Sequence, residues 1–160
     1  MQSDPLATAL EHEHHEIDAG IEAFIAAPSD RQPLDRAIGA LRRHIYLEEE
    51  FLFPLLLTVE PGLVAPVSVM LREHAQIWDT LDAVERQLGA NADPGAGLAA
   101  CEQLTAQLLH HNLKEERILY PLADVAPASA ADPLGKALDS AALPDGWMCQ
   151  RAAGGQRRDS

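Results

Sequence analysis

Cysteine is scarce in this chain. Cys101 and Cys149 are the only two, and they lie far apart. They form no Cys-x-x-Cys pair and no disulfide framework, which fits a reducing compartment. Aromatic residues make up only 4% of a chain that is 47% hydrophobic, with Ala and Leu dominant. Strands draw on β-branched and aromatic residues, so this mix favours helices. No apolar run approaches the ~18 residues that a membrane-spanning helix needs. The first residues, MQSDPLATALEHEHHEID, are acidic and lack the basic-then-apolar order of a secretion signal. A cytoplasmic protein without membrane contact is expected. Basic residues are few: 12 Lys and Arg against 25 Asp and Glu, a formal net charge of -13. The excess lies within residues 1–124, because residues 125–160 carry 4 charges of each sign. Nucleic acids and anionic membranes need a basic surface and are excluded as partners. Cations are compatible with this charge, as is simple solubility.

What the chain does contain is helical periodicity. Its 160 residues suit one domain with a real core. Four periodic segments run from about Asp4 to Ala27, Pro33 to Val59, Val64 or Pro66 to Leu88, and Leu98 to Ala123. The breakers are Pro28-Ser29-Asp30, Pro61-Gly62 and a loop from Gly89 through Gly97. Short connections imply antiparallel neighbours, so the fold class is all-α, an up-down antiparallel four-helix bundle over residues 1–124. Residues 125–160 read as a short C-terminal extension, with one short helix over 132–142 and then a disordered tail. Trp147 in that extension is expected to fold back onto the bundle or to meet a partner protein.

An internal repeat carries the chemistry. Residues 44–54 read HIYLEEEFLFP and residues 111–121 read HNLKEERILYP. Both fit H-x-x-x-E-E-x-x-L-[FY]-P. A shorter element, Glu-His-x-x-Ile, occurs at 13–17 and 73–77. The order along the chain is therefore EH, HxxxE, EH, HxxxE, as in a duplicated helical hairpin.

Helical spacing shows which of these polar residues face the core. The first apolar stripe is Leu10, His14, Ile17, Ile21 and Phe24. His12 and His15 turn away from it. The second segment carries Leu41, His44, Ile45, Glu48, Phe51 and Leu52, with Glu49 and Glu50 rotated outward. The third places His74 between Leu71 and Ile77 or Trp78, and the fourth places His111 and Glu115 between Leu108 and Leu119. Each segment thus turns one histidine inward, and two add a glutamate one turn later. Glu49 and Glu116 read either as acceptors for the inward imidazoles or as solvated groups. Tyr46 and Tyr120 could approach the layer or donate a proton; Tyr120 is expected nearer the bundle end, because it lies about 13 Å along the helix from His111 at ~1.5 Å per residue. A buried, unpaired ion costs several kcal/mol. Six of them would rival the ~5–15 kcal/mol stability of a whole domain. No matching set of basic residues shares these stripes, so a metal centre is the economical solution.

Residues at i and i+4 share a helix face, so His44 with Glu48, and His111 with Glu115, can meet one centre. A carboxylate can bridge two cations, and four imidazoles can terminate them. The absence of cysteine from the set argues against structural zinc and iron–sulfur clusters. The imidazole majority argues against calcium and magnesium. Mixed nitrogen and oxygen ligation suits iron, with manganese and zinc behind it.

With Glu13-His14, His44-x-x-x-Glu48-Glu49-x-x-Leu52-Phe53-Pro54, Glu73-His74 and His111-x-x-x-Glu115-Glu116-x-x-Leu119-Tyr120-Pro121, the chain resembles the hemerythrin-like, or HHE cation-binding, proteins over roughly residues 6–122. The resemblance implies a four-helix bundle around two non-haem iron ions (Fe2+/Fe3+), which an oxo or hydroxo group can bridge. His14, His44, His74 and His111 would be terminal ligands, and Glu48 and Glu115 would bridge. Oxygen-carrying hemerythrins have a further histidine where this chain has Trp78, and they place the last carboxylate at the position of Glu116. The stripe favours Glu115 over Glu116. Fewer histidines leave open metal positions, which favours reaction with a small oxidant (O2, NO or peroxide) in sensing or stress response. The alternative is a metal-dependent sensor module or an iron-handling protein without turnover, with a protein partner at the C-terminal extension.

Overall fold

The computed structural model describes residues 4–89 and 94–152. The disordered tail expected over 152–160 lies outside the described residues except for Ala152, which is buried. Among the described residues every regular element is helical. Helix α1 spans Leu6–Ala26 and α2 spans Gln32–Leu47. A π-helical turn, Glu48–Leu52, joins α2 to α3, Phe53–Val59, in one continuous rod. Helix α4 spans Val64–Gln87 and α5 spans Pro94–Lys114. A second π-helical turn, Glu115–Leu119, leads from α5 into α6, Tyr120–Asp124. Four rods therefore form the bundle. Helix α1 packs on α2 and on the α5–α6 rod, and α4 packs on α2 and α5, which closes the ring. No described helix is long and apolar enough to cross a membrane.

The two π turns fall at equivalent places in the repeat, and the sequence explains them. Pro54 and Pro121 follow each motif within a continuing rod. Proline has no N–H to donate, and its ring clashes with the carbonyl four residues earlier in a regular α-helix. Widening the preceding turn accommodates the ring, so each rod continues through its proline. The wide turns are closed by Phe53 N–H donating to the Glu48 carbonyl and Tyr120 N–H to the Glu115 carbonyl.

Helix α5 begins earlier than the glycines suggested. Pro94 starts it, and Gly95 and Gly97 are helical. A Cβ at Gly97 would stand 2.4 Å from Leu88 Cδ2, so glycine allows the two rods to approach where they are joined. The extension forms α7, Ala128–Ser140, which buries Leu134 and Ala137. The chain then returns across the bundle and buries Cys149 and Ala152. Trp147 packs edge-on against Tyr46 and Trp78, at ring-centroid distances of 5.3 Å and 5.6 Å. Trp78 is a core residue with the Arg42 guanidinium over its ring.

Two hydrophobic clusters fill the interior. One contains Ile17, Leu41, Ile77 and Leu108, and the other contains Leu10, Leu52, Leu71 and Leu119. These residues bracket His14, His44, His74 and His111 along their helices. The polar residues therefore form a layer between two apolar plugs, which keep bulk water away from both sides.

Candidate metal centre

His14, His44, Glu48, His74, His111 and Glu115 are all buried, and Glu48, His74 and Glu115 have no exposed surface. His12, His15 and His110 are exposed. The six buried groups fall into two overlapping quartets. His14, His44, Glu48 and Glu115 offer ligand atoms within 4.8 Å of one another, as do Glu48, His74, His111 and Glu115. The two glutamates belong to both quartets. His44 Nε2 lies 3.4 Å from Glu48 Oε2, and His111 Nε2 lies 3.2 Å from Glu115 Oε1, the i and i+4 pairs of the repeat. Across the bundle, His74 Nε2 stands 3.1 Å from Glu48 Oε1 and His14 Nε2 stands 3.3 Å from Glu115 Oε1.

The outward nitrogens show an order that the stripes did not reveal. His44 Nδ1 meets Glu13 at 2.8 Å, and His74 Nδ1 meets Glu49 at 2.7 Å. His111 Nδ1 meets Glu73 at 2.9 Å, and His14 Nδ1 meets Glu116 at 2.8 Å. Each helical rod thus supplies one carboxylate to the histidine of the next, and the four pairs run once around the bundle. An Nδ1–H donating to a carboxylate leaves the Nε2 lone pair pointing inward and fixes the ring. Glu13 and Glu73, from the EH elements, had been given no role. The helical period rotates Glu49 off the stripe and leaves it either an imidazole acceptor or a solvated group; it is buried and acts as the acceptor. The π turn is the physical reason: one extra residue per turn lets Glu48 and Glu49 both face inward.

Tyr120 corrects the sequence expectation. Its ring is fully buried at the layer and not at the bundle end. Its hydroxyl donates to Glu48 Oε2 at 2.6 Å, and lies 2.8 Å from His14 Nε2, 3.1 Å from His44 Nε2 and 3.2 Å from Glu115 Oε1. Counting from His111 overstated the separation, because Glu115 is only five residues away. A long side chain on a helix also leans toward the N-terminus. The first repeat has Phe53 at the same place, stacked on His74 with ring centroids 5.5 Å apart. The two quartets therefore differ: one has a phenol beside it, the other a phenyl ring.

The electrostatics favour positive charge at the centre. Burial pushes the His44 imidazole down, but the Glu48 and Glu13 carboxylates outweigh it and hold it well above the ordinary histidine range. Burial likewise lowers His111, and Glu115 and Glu73 raise it to about 10. Burial pushes Glu48 up, yet His44 and His74 keep it well below the usual carboxylate range. The Tyr120 phenol is pushed well up, first by burial and then by Glu115 and Glu48.

The donor set fits a pair of cations. His14 Nε2 and His44 Nε2 approach to 3.0 Å, and both rings spend their Nδ1–H on carboxylates. Two nitrogens at that distance need a positive charge between them, either a shared proton or a metal cation. Glu115 Oε2 is buried without a hydrogen-bond partner, a costly state for a carboxylate oxygen unless a cation meets it. Outside the layer, a cavity of about 130 Å³ is lined by Glu73, Gln76, Ile77, Gln107, His110 and His111.

Fold and site together define a class: a helical bundle with a buried histidine–carboxylate layer suited to cations. The chain matches the family model of the hemerythrin HHE cation binding domain over residues 5–123, and it belongs to that family. No curated protein and no solved structure matches it.

Proposed function

We propose that the layer holds two iron ions and reacts with a small oxidant, O2, NO or peroxide, in sensing or stress response. His14 and His44 would hold one ion, and His74 and His111 the other. Glu48 and Glu115, common to both quartets, would be shared between the ions. The observation that carries this reading is the pair of facing Nε2 atoms, each in a ring fixed by a carboxylate at Nδ1. Imidazole with carboxylate, and no thiolate, suits iron ahead of manganese or zinc. Iron would supply electrons and open coordination positions to the oxidant. The chain's own residues do the rest. Four carboxylates orient the imidazoles, the two apolar clusters exclude water, and Tyr120 holds a proton beside Glu48 at the His14/His44 end. The cavity against His111 offers a short path from the surface to the other end.

Metal analysis of the purified full chain tests the reading. About two iron ions per chain are expected, with an optical spectrum that changes on reduction and again on exposure to O2, NO or peroxide. A chain that takes up no iron under anaerobic ferrous loading, or iron that is inert to all three oxidants, would overturn it. A second reading, a sensor without turnover, is favoured by the segment from Trp147 to Arg151, which contacts Glu49 and Glu50. Stoichiometric reaction without turnover would select it.

A further inference from the structure

Residues 125–152 lie beyond the part of the chain that matches the family. They nevertheless reach two of the four carboxylates that hold the histidines, Glu49 directly and Glu13 through Arg43 of α2. Arg43 Nε and Nη2 donate to the carbonyls of Ala141, Ala137 and Leu138 at 2.7 Å, 2.9 Å and 2.8 Å. Ala137 and Leu138 belong to the last turn of α7 and Ala141 caps it; carbonyls at a helix C-terminus run short of intrahelical N–H donors and favour a cation. The same guanidinium donates through Nη1 to Glu13 Oε2 at 3.1 Å, and the other oxygen of Glu13 receives His44 Nδ1. Further along the extension, the Gln150 backbone N–H donates to Glu49 Oε1 at 2.7 Å, while Glu49 Oε2 receives His74 Nδ1 at 2.7 Å. Arg151 ties the same stretch to Ser68 on α4.

We propose that the C-terminal extension is a clasp on the metal centre, with Arg43 and the Gln150 N–H as positioning groups acting through Glu13 on His44 and through Glu49 on His74. The two histidines belong to different quartets, so the clasp holds one ligand of each ion. A carboxylate that spends one oxygen on a fixed donor keeps its other oxygen in place for the imidazole. Losing the carboxylate partner of a metal-binding histidine typically lowers metal affinity about 10–100-fold, and loosening that carboxylate acts in the same direction with a smaller effect. Release of the extension would therefore loosen both ions without altering any ligand. This inference rests on the two-ion reading.

The test uses the full chain loaded with ferrous iron and challenged with a chelator. Arg43→Gln is expected to bind two ions and to lose one of them several-fold, up to about tenfold, more readily than the parent. Gln150→Pro, which removes the backbone donor together with the side chain, should loosen one ion to a like degree. Gln150→Ala keeps the donor and should behave as the parent. The double variant should loosen both ions; if it loosens only one, the assignment to separate ions is overturned. Arg42→Gln breaks the ties to Asp82 and Glu85 on α4, and should lower the melting temperature without changing iron release. Where Gln150→Pro does not fold, Ser68→Ala loosens the same strap more gently and should shift the same ion. Folded variants that release iron like the parent overturn the clasp. A parent that binds no iron overturns the two-ion reading instead. The His44 Nδ1–H resonance then still reports the clasp, because Arg43→Gln should shift it and Arg42→Gln should not.

Discussion

His14 and His44 point their Nε2 atoms at each other across 3.0 Å in the middle of the bundle. Each ring is held in that pose from behind by a glutamate of a neighbouring rod. Rings held this way are ready to grip a cation without rearranging, and the variants below separate the gripping groups from the groups that aim them.

Replacing a gripping group should cost an ion. His44→Ala and His111→Ala are each expected to lower iron content by about one ion per chain. Glu48→Ala should cost both, because Glu48 belongs to both quartets. His15→Ala, at an exposed position, should leave two ions bound. Metal analysis after gel filtration reads all four.

Removing the phenol hydroxyl should separate stability from binding. Tyr120→Phe deletes the donor to Glu48 Oε2 at 2.6 Å. A buried acceptor that loses its partner costs about 1–3 kcal/mol. Denaturant unfolding of the metal-free variant should show a loss of that size. Iron content should stay at two, and the rate of reaction with peroxide should fall.

Two glycines should respond with opposite sign to alanine. A Cβ at Gly20 would stand 2.8 Å from the Pro33 carbonyl oxygen and 2.9 Å from Ala37 Cβ, contacts that only a shift of α1 against α2 relieves. Gly20→Ala should destabilise by about 1–3 kcal/mol, the usual range for overpacking. Gly39 has nothing within 4 Å of its added Cβ. Gly39→Ala should stabilise by about 0.5–1 kcal/mol through helix propensity. Melting temperatures of the two variants should move in opposite directions.

Cys149 should be inert in the folded chain. It is fully buried, and burial, aided by Glu49, pushes its thiol up to about 12 from 9.0. Alkylation at pH 8 should require unfolding. The raised value also sets a sign: its contribution to stability is whole below pH 9, where both states keep the proton, and is lost progressively as pH rises from there towards 12. Cys149→Ser should flatten that part of the pH–stability curve.

Much of the site was legible in one dimension. The steps of three and four that carry Leu10, His14 and Ile17, or Leu108, His111 and Glu115, identify an inward face without knowledge of any neighbour, because a helix repeats every 3.6 residues. The duplicated HxxxE and EH elements likewise point to a two-sided centre. A uniform helical period puts Tyr120 towards the bundle end and leaves Glu49 open between acceptor and solvated group, because it runs unchanged through two motifs ending in proline. There the structure widens to a π turn and changes which residues face inward.

By itself, the sequence determined the helical class, the inward histidines and the glutamates one turn after two of them, all consequences of spacing along a single helix. Only the tertiary structure decided that Glu13 serves His44, Glu49 serves His74, Glu73 serves His111 and Glu116 serves His14. It alone also docked the extension on Arg43 and Glu49. The reason is physical: periodicity says which way a side chain points, whereas its partner depends on which rod lies beside it and at what height.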